Sequence, residues 1–132
     1  KVFLSENVSA LTDVTGYGLV GHLSEILKAS NCGVTLKLDW VPSLPDSESL
    51  MARGYCSSLQ ESNELALMDF DLGRGLSLLM PKVRMLVVPQ SAGGLLAAMP
   101  KENAENCLSK LRELGYQSEI IGTIEEKVWS IQ

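Results

Sequence analysis

The chain has 132 residues, 45% of them hydrophobic, and a net charge of −5 from 16 acidic and 11 basic residues. That length suits one domain with a sizeable core, so neither a disulfide scaffold nor intrinsic disorder is required. The acid surplus sits mainly in residues 1–66 and no basic block tracks a phosphate backbone, which disfavours a broad nucleic-acid face. No apolar run approaches the ~20 residues of a membrane span and no signal-type segment opens the chain, so no membrane is expected. Cys32, Cys56 and Cys107 form no CxxC pair, and His22, the only histidine, cannot complete a zinc set with them. The three thiols read as buried small hydrophobes of a cytoplasmic protein. The chain starts at Lys1 on an element-like stretch and reads as a piece of something longer.

In chain order, residues 16–30 read as an amphipathic helix with Leu19, Leu23, Ile26 and Leu27 on one face, ended by Gly33 as a left-handed cap. Residues 34–38 alternate as a half-buried strand, and Pro42 and Pro45 make an extended link. Asp46 then fits as the N-cap of a short helix to about Arg53. Residues 54–63 read as loop, with a helix over 64–68. Residues 83–88 end in Pro89 and suit an edge strand or a short buried turn. A strand is expected over 93–99, a helix from Pro100 through Leu114, and strands over 118–124 and 128–131. Only a turn, Glu125-Glu126-Lys127, separates those last two strands, so they are expected to pair antiparallel. Met68, Met80, Met85 and Met99 read as core fillers. The order suggests an α+β fold, a mixed sheet carrying helices.

Gly16-Tyr17-Gly18-Leu19-Val20-Gly21 matches the dinucleotide fingerprint G-x-G-x-x-G, with Asp39 near the position of a ribose-binding acid. Three features oppose that reading. Thr12-Asp13-Val14-Thr15 is not a buried parallel strand, Asp13 would set negative charge beside a pyrophosphate, and no βαβ units follow. The alternative for the glycines is a tight loop into a closely packed helix. Asp13 on such a loop makes chemical sense if a divalent cation bridges it to phosphate oxygens, since magnesium favours one or two carboxylates with waters and phosphates. His22, at the edge of the apolar face of that helix, reads as a structural histidine.

Leu11-Thr12-Asp13-Val14-Thr15-Gly16-Tyr17-Gly18-Leu19-Val20-Gly21-His22-Leu23 resembles the TDVTGFGLLGHL signature of selenide, water dikinases, the selenophosphate synthetases. Pro89-Gln90-Ser91-Ala92-Gly93-Gly94-Leu95-Leu96 resembles a second block of that family, D-P-Q-T-[SA]-G-G-L-L. The resemblance covers essentially the whole chain. It implies a single C-terminal domain, residues 1–132, with a fold like that of the aminoimidazole ribonucleotide synthetase C-terminal domain and a missing N-terminal ATP-binding domain.

The same resemblance implies that the parent enzyme converts selenide, ATP and water to selenophosphate, AMP and phosphate, with Mg2+ on the ATP phosphates. No catalytic residue is expected in this portion. Asp13 matches the metal-binding aspartate, and Thr15, Gly16, Gln90, Ser91, Gly93 and Gly94 are weaker candidates for phosphate or loop contacts. Expected partners are the N-terminal domain and, for the whole protein, a second copy in a cytoplasmic homodimer. Two departures stand out: Val88 occupies the position of the second block's aspartate, and Ser91 that of its threonine. A non-catalytic member that binds a ligand or partner therefore stays open as an alternative.

Overall fold

The computed structural model describes all 132 residues. Its helices are α1 (Val2–Ser5), α2 (Gly18–Ser30), α3 (Ser47–Ala52), α4 (Gln60–Glu64), α5 (Pro81–Arg84) and α6 (Lys101–Glu113). Its strands are β1 (Ala10–Asp13), β2 (Gly33–Leu36), β3 (Asp71–Leu72), β4 (Leu95–Ala98), β5 (Gly122–Glu125) and β6 (Trp129–Ile131). Turns of 3-10 helix occupy Leu38–Trp40, Leu65–Asp69 and Met85–Val87.

The apolar residues of α2 recur at helical spacing, so one face is buried and Glu25 and Lys28 point to solvent. Asn31, in the left-handed region at φ 51°, ends the helix and donates its N–H to the Leu27 and Lys28 carbonyls. One apolar cluster joins Val20, Leu23 and Leu27 of α2 to Val34 and Leu36 of β2, Ile131 of β6, and Leu67, Phe70, Val83, Leu86 and Val87. Fully burying each such side chain contributes ~1.5–3 kcal/mol. This α2-on-sheet core holds the N-terminal end of α2, and the loop before it, in a fixed position.

The strands form two sheets. β1 and β4 make a two-stranded antiparallel ribbon in which Asp13 faces Leu95 and Leu11 faces Ala97. The second sheet is mixed, in the order β3-β6-β2-β5, with β2–β5 its antiparallel pair. This is the α+β class expected from the sequence.

Several local expectations are corrected. Segment 93–99 pairs with β1 in the ribbon, not in the mixed sheet, and residues 10–13, for which the sequence pattern gives no strand, form the other half of that ribbon. β5 and β6 do not pair with each other, because β2 lies between them. β5 ends with Glu125 opposite Gly33, the chain crosses over Gly33, and β6 begins beside Val34. Of the two readings left open for residues 83–88, the short buried turn is the one found, not the edge strand: Pro81, with no N–H to lose, starts α5, and Met85–Val87 continues it with Val83, Leu86 and Val87 buried. Asp46 makes no side-chain cap and sits at φ 63°. The cap after α2 is Asn31, while Gly33 lies in β2. Helix α4 starts earlier than expected, at Gln60. Cys107 is buried, but Cys32 is only partly covered and Cys56 is exposed. Met68 is 71% exposed, and the fully covered methionine is Met51.

Candidate functional site

The site forms where β1 runs into α2 and the segment 88–94 lies alongside. Val14 is buried and donates its N–H to the Gly94 carbonyl at 2.9 Å. Thr15 accepts at its carbonyl from the Gln90 and Gly18 N–H groups, each at 3.0 Å. These bonds tie residues 13–18 and 88–94 into one surface. Two of its glycines are dictated by close packing. Gly18 has φ 70°, and a β-carbon there would stand 2.5 Å from the Val87 carbonyl carbon. A β-carbon at Gly93 would stand 2.2 Å from the Val14 oxygen. Gly16 and Gly94 have open space where a side chain would go.

Asp13 closes β1 with an exposed carboxylate that makes no ion pair and no side-chain hydrogen bond. It is the only charged side chain on residues 13–18 and 88–94. The backbone N–H groups of Gly16, Tyr17, Ser91, Ala92, Gly93 and Gly94 find no acceptor within the chain. Gln90 and Ser91 are exposed. The seven residues singled out in the sequence are thus brought together. The surface offers one free anionic oxygen donor, beside N–H groups of the kind that meet anionic oxygens. No group of three His, Cys, Asp or Glu side chains gathers anywhere that could hold a metal ion unaided. Val88, partly buried, leaves the second segment without a carboxylate.

Thr15 belongs as much to the packing as to the surface. Its Oγ1 lies 3.1 Å from His22 Nε2, and His22 Nδ1 lies 3.2 Å from Glu25 Oε2. A carboxylate at Nδ1 favours the proton there, so Nε2 accepts the Thr15 hydroxyl. The Tyr17 ring covers the imidazole with centroids 5.4 Å apart. His22 is buried with both nitrogens engaged, as a structural histidine is. Asp39, the acid of the apparent dinucleotide fingerprint, is exposed and paired with Lys82.

Sequence reading missed Asn63, whose side-chain amide donates to Gly16 O at 2.8 Å and to Val87 O at 3.0 Å. No motif marks it. It also missed Glu6, a nearly fully buried carboxylate bonded by Lys110 and Asn106 of α6. Those bonds, with Lys110 foremost, hold the Glu6 carboxyl below its ordinary range.

Residues 1–129 match the family described as AIR synthase related protein, C-terminal domain. The chain belongs to this family. The selenide, water dikinase of Photorhabdus laumondii is 36% identical over 122 residues, which are 91% of this chain and 33% of that protein. That of Rhizobium meliloti is 33% identical over 124 residues, 89% of this chain and 34% of its own length. That of Bordetella bronchiseptica is 35% identical over 117 residues, 89% and 33% respectively. The chain therefore spans about a third of the length of the curated relatives it matches. Membership agrees with the α+β architecture, and the two motif segments of the sequence are the ones joined beside Asp13. No helix is long and apolar enough to cross a membrane.

Proposed function

We propose that this domain is the C-terminal part of an ATP-dependent enzyme that makes selenophosphate from selenide and water, releasing AMP and phosphate. The observation that carries this reading is the free Asp13 carboxylate at the rim of two joined segments rich in unpartnered N–H groups. A bound magnesium ion would supply positive charge to phosphate oxygens, with Asp13 as the ligand from this side. The domain's own work is to hold that carboxylate still and to present backbone donors and a capping surface. Electrostatic stabilisation of phosphoryl transfer needs metal, cation and donors converging together, and one carboxylate cannot supply that. Residues 1–132 alone are therefore expected to turn over no ATP and to make no selenophosphate.

The exposed face of the ribbon fits a cap that seats on another part of the polypeptide. Leu11, Asp13, Leu95 and Ala97 share that face through the β1–β4 register, with Leu11 49% and Leu95 61% exposed. In this reading the partner is the protein's own N-terminal domain and the whole enzyme is a cytoplasmic homodimer.

The test is Asp13→Asn in the full-length protein. Magnesium-dependent turnover should fall on the order of tenfold or more, while the melting temperature of the domain stays near that of the parent. Unchanged turnover, or ATP hydrolysis by purified residues 1–132 above a heat-killed control, overturns the reading. A second reading is favoured by Val88: without a carboxylate on the second segment, the protein would bind a ligand or partner without catalysis. Absence of turnover by the unsubstituted full-length protein, with nucleotide binding retained, is its signature.

A further inference from the structure

We propose that Asn63 is a positioning residue, setting where the Asp13 loop sits relative to the 88–94 segment; this rests on the reading of Asp13 above. Helix α4 lies against the last turn of the helical segment 81–87, where the helix ends and its carbonyls can take side-chain donors. Two side chains one turn apart on α4 meet those carbonyls. Gln60, fully buried, donates to Arg84 O at 3.0 Å, and Asn63 donates to Val87 O at 3.0 Å. The neighbouring Glu64 anchors the same turn through Arg84 Nε at 2.7 Å.

Asn63 goes further than a helix cap. The same Nδ2 that meets Val87 O also donates to Gly16 O at 2.8 Å, so its two protons are divided between the two segments of the site. Gly18 presses its Cα side on the Val87 backbone from the same loop. Gly16 itself has no other hydrogen bond: its N–H has no intramolecular acceptor, and a β-carbon there would meet nothing within 4 Å. Remove the amide and the Asp13–Gly16 stretch keeps only the bonds at Val14, Thr15 and Gly18.

The experiment uses 15N-labelled residues 1–132 with three substitutions. Asn63→Ala removes both donors, Asn63→Asp keeps the shape but replaces donors with acceptors, and Asn106→Ala weakens the distant Glu6 contact. Amide exchange of Val14, Gly18 and Gln90, whose N–H groups hold the segments, should rise about tenfold in both Asn63 variants. It should stay unchanged in Asn106→Ala at matched overall stability. Mn2+ added as a probe should broaden the amides of residues 13–17, and that broadening should weaken in the Asn63 variants. Wild-type exchange in Asn63→Asp overturns the proposal, since a space-filling role survives that change. Absence of Mn2+ broadening in the unsubstituted protein counts against the metal role of Asp13 alone, and the exchange rates still decide the role of Asn63.

Discussion

The Val128 carbonyl passes directly over Gly33, accepting the Val34 N–H at 2.6 Å, and a β-carbon on Gly33 would stand 2.2 Å from that oxygen. This contact is what lets β5 and β6 flank β2 instead of pairing with each other. Gly33→Ala should therefore destabilise the domain by about 3 kcal/mol or more, because backbone on both sides must shift. Urea denaturation of the two proteins measures it. A change below about 1 kcal/mol would mean that the crossing is looser than the geometry implies.

Glu6 makes stability depend on pH in a stated direction. Its carboxyl is held below the ordinary value of 4.5 by hydrogen bonds from Lys110 and then Asn106, which outweigh burial. A lowered folded pKa means that the unfolded chain takes up the proton first as pH falls. The stabilisation is fully present above about pH 4.5 and is lost as pH drops through the lower folded value. Glu6→Gln should be less stable than the parent at neutral pH, and the two should converge in acid. Denaturation midpoints of both proteins between about pH 7 and pH 3 check this; parallel curves would show that the α1–α6 contact carries no charge-dependent stability.

What was legible in the sequence follows physical range. Helices α2 and α6 announce themselves because their apolar residues recur over 13 residues each, and a long period survives any tertiary context. Asp13 was found because its chemistry and its neighbouring glycines lie within six residues of one another. The crossing of residues 126–128 over β2 was not legible, since the short connection looks like any hairpin turn until Gly33, some ninety residues away, is set beneath it. Segment 83–88 has strand composition, so the sequence left an edge strand and a short buried turn both open; packing of α2 and α4 on it, which the local sequence does not show, selects the turn. Asn63 and Glu6 carried no signal for a different reason: each acts through single bonds to distant partners, and single residues have no period.

The paired glycines of the second segment should separate packing from ligand approach. Gly93→Ala forces a β-carbon to 2.2 Å from the Val14 oxygen and 2.4 Å from Gln90 Oε1, so it should lower stability by roughly 2–3 kcal/mol. Gly94→Ala meets nothing within 4 Å and should change stability by less than about 1 kcal/mol. If the full-length protein has the proposed activity, a fall in turnover from Gly94→Ala without lost stability would then report close approach of a ligand to that backbone. Equal thermal melts for the two variants would contradict the packing assigned to Gly93.

The last prediction concerns the dinucleotide fingerprint at Gly16-Tyr17-Gly18-Leu19-Val20-Gly21. A dinucleotide turn needs a central strand of a parallel sheet before it and glycines left bare for the pyrophosphate. Here the preceding strand, β1, pairs only with β4, antiparallel, in a ribbon outside the main sheet. The glycines are spoken for: Gly18 abuts the Val87 backbone, and a β-carbon at Gly21 would stand 2.5 Å from the Tyr17 β-carbon. The acid expected to grip a ribose, Asp39, is engaged by Lys82 on an exposed stretch beyond β2. Residues 1–132 should accordingly bind neither NAD nor FAD in a calorimetric titration. Micromolar affinity for either would require the 13–18 loop to open away from Val87 and Asn63, and would overturn both the packing role of Gly18 and the reading of Asp13 built on it.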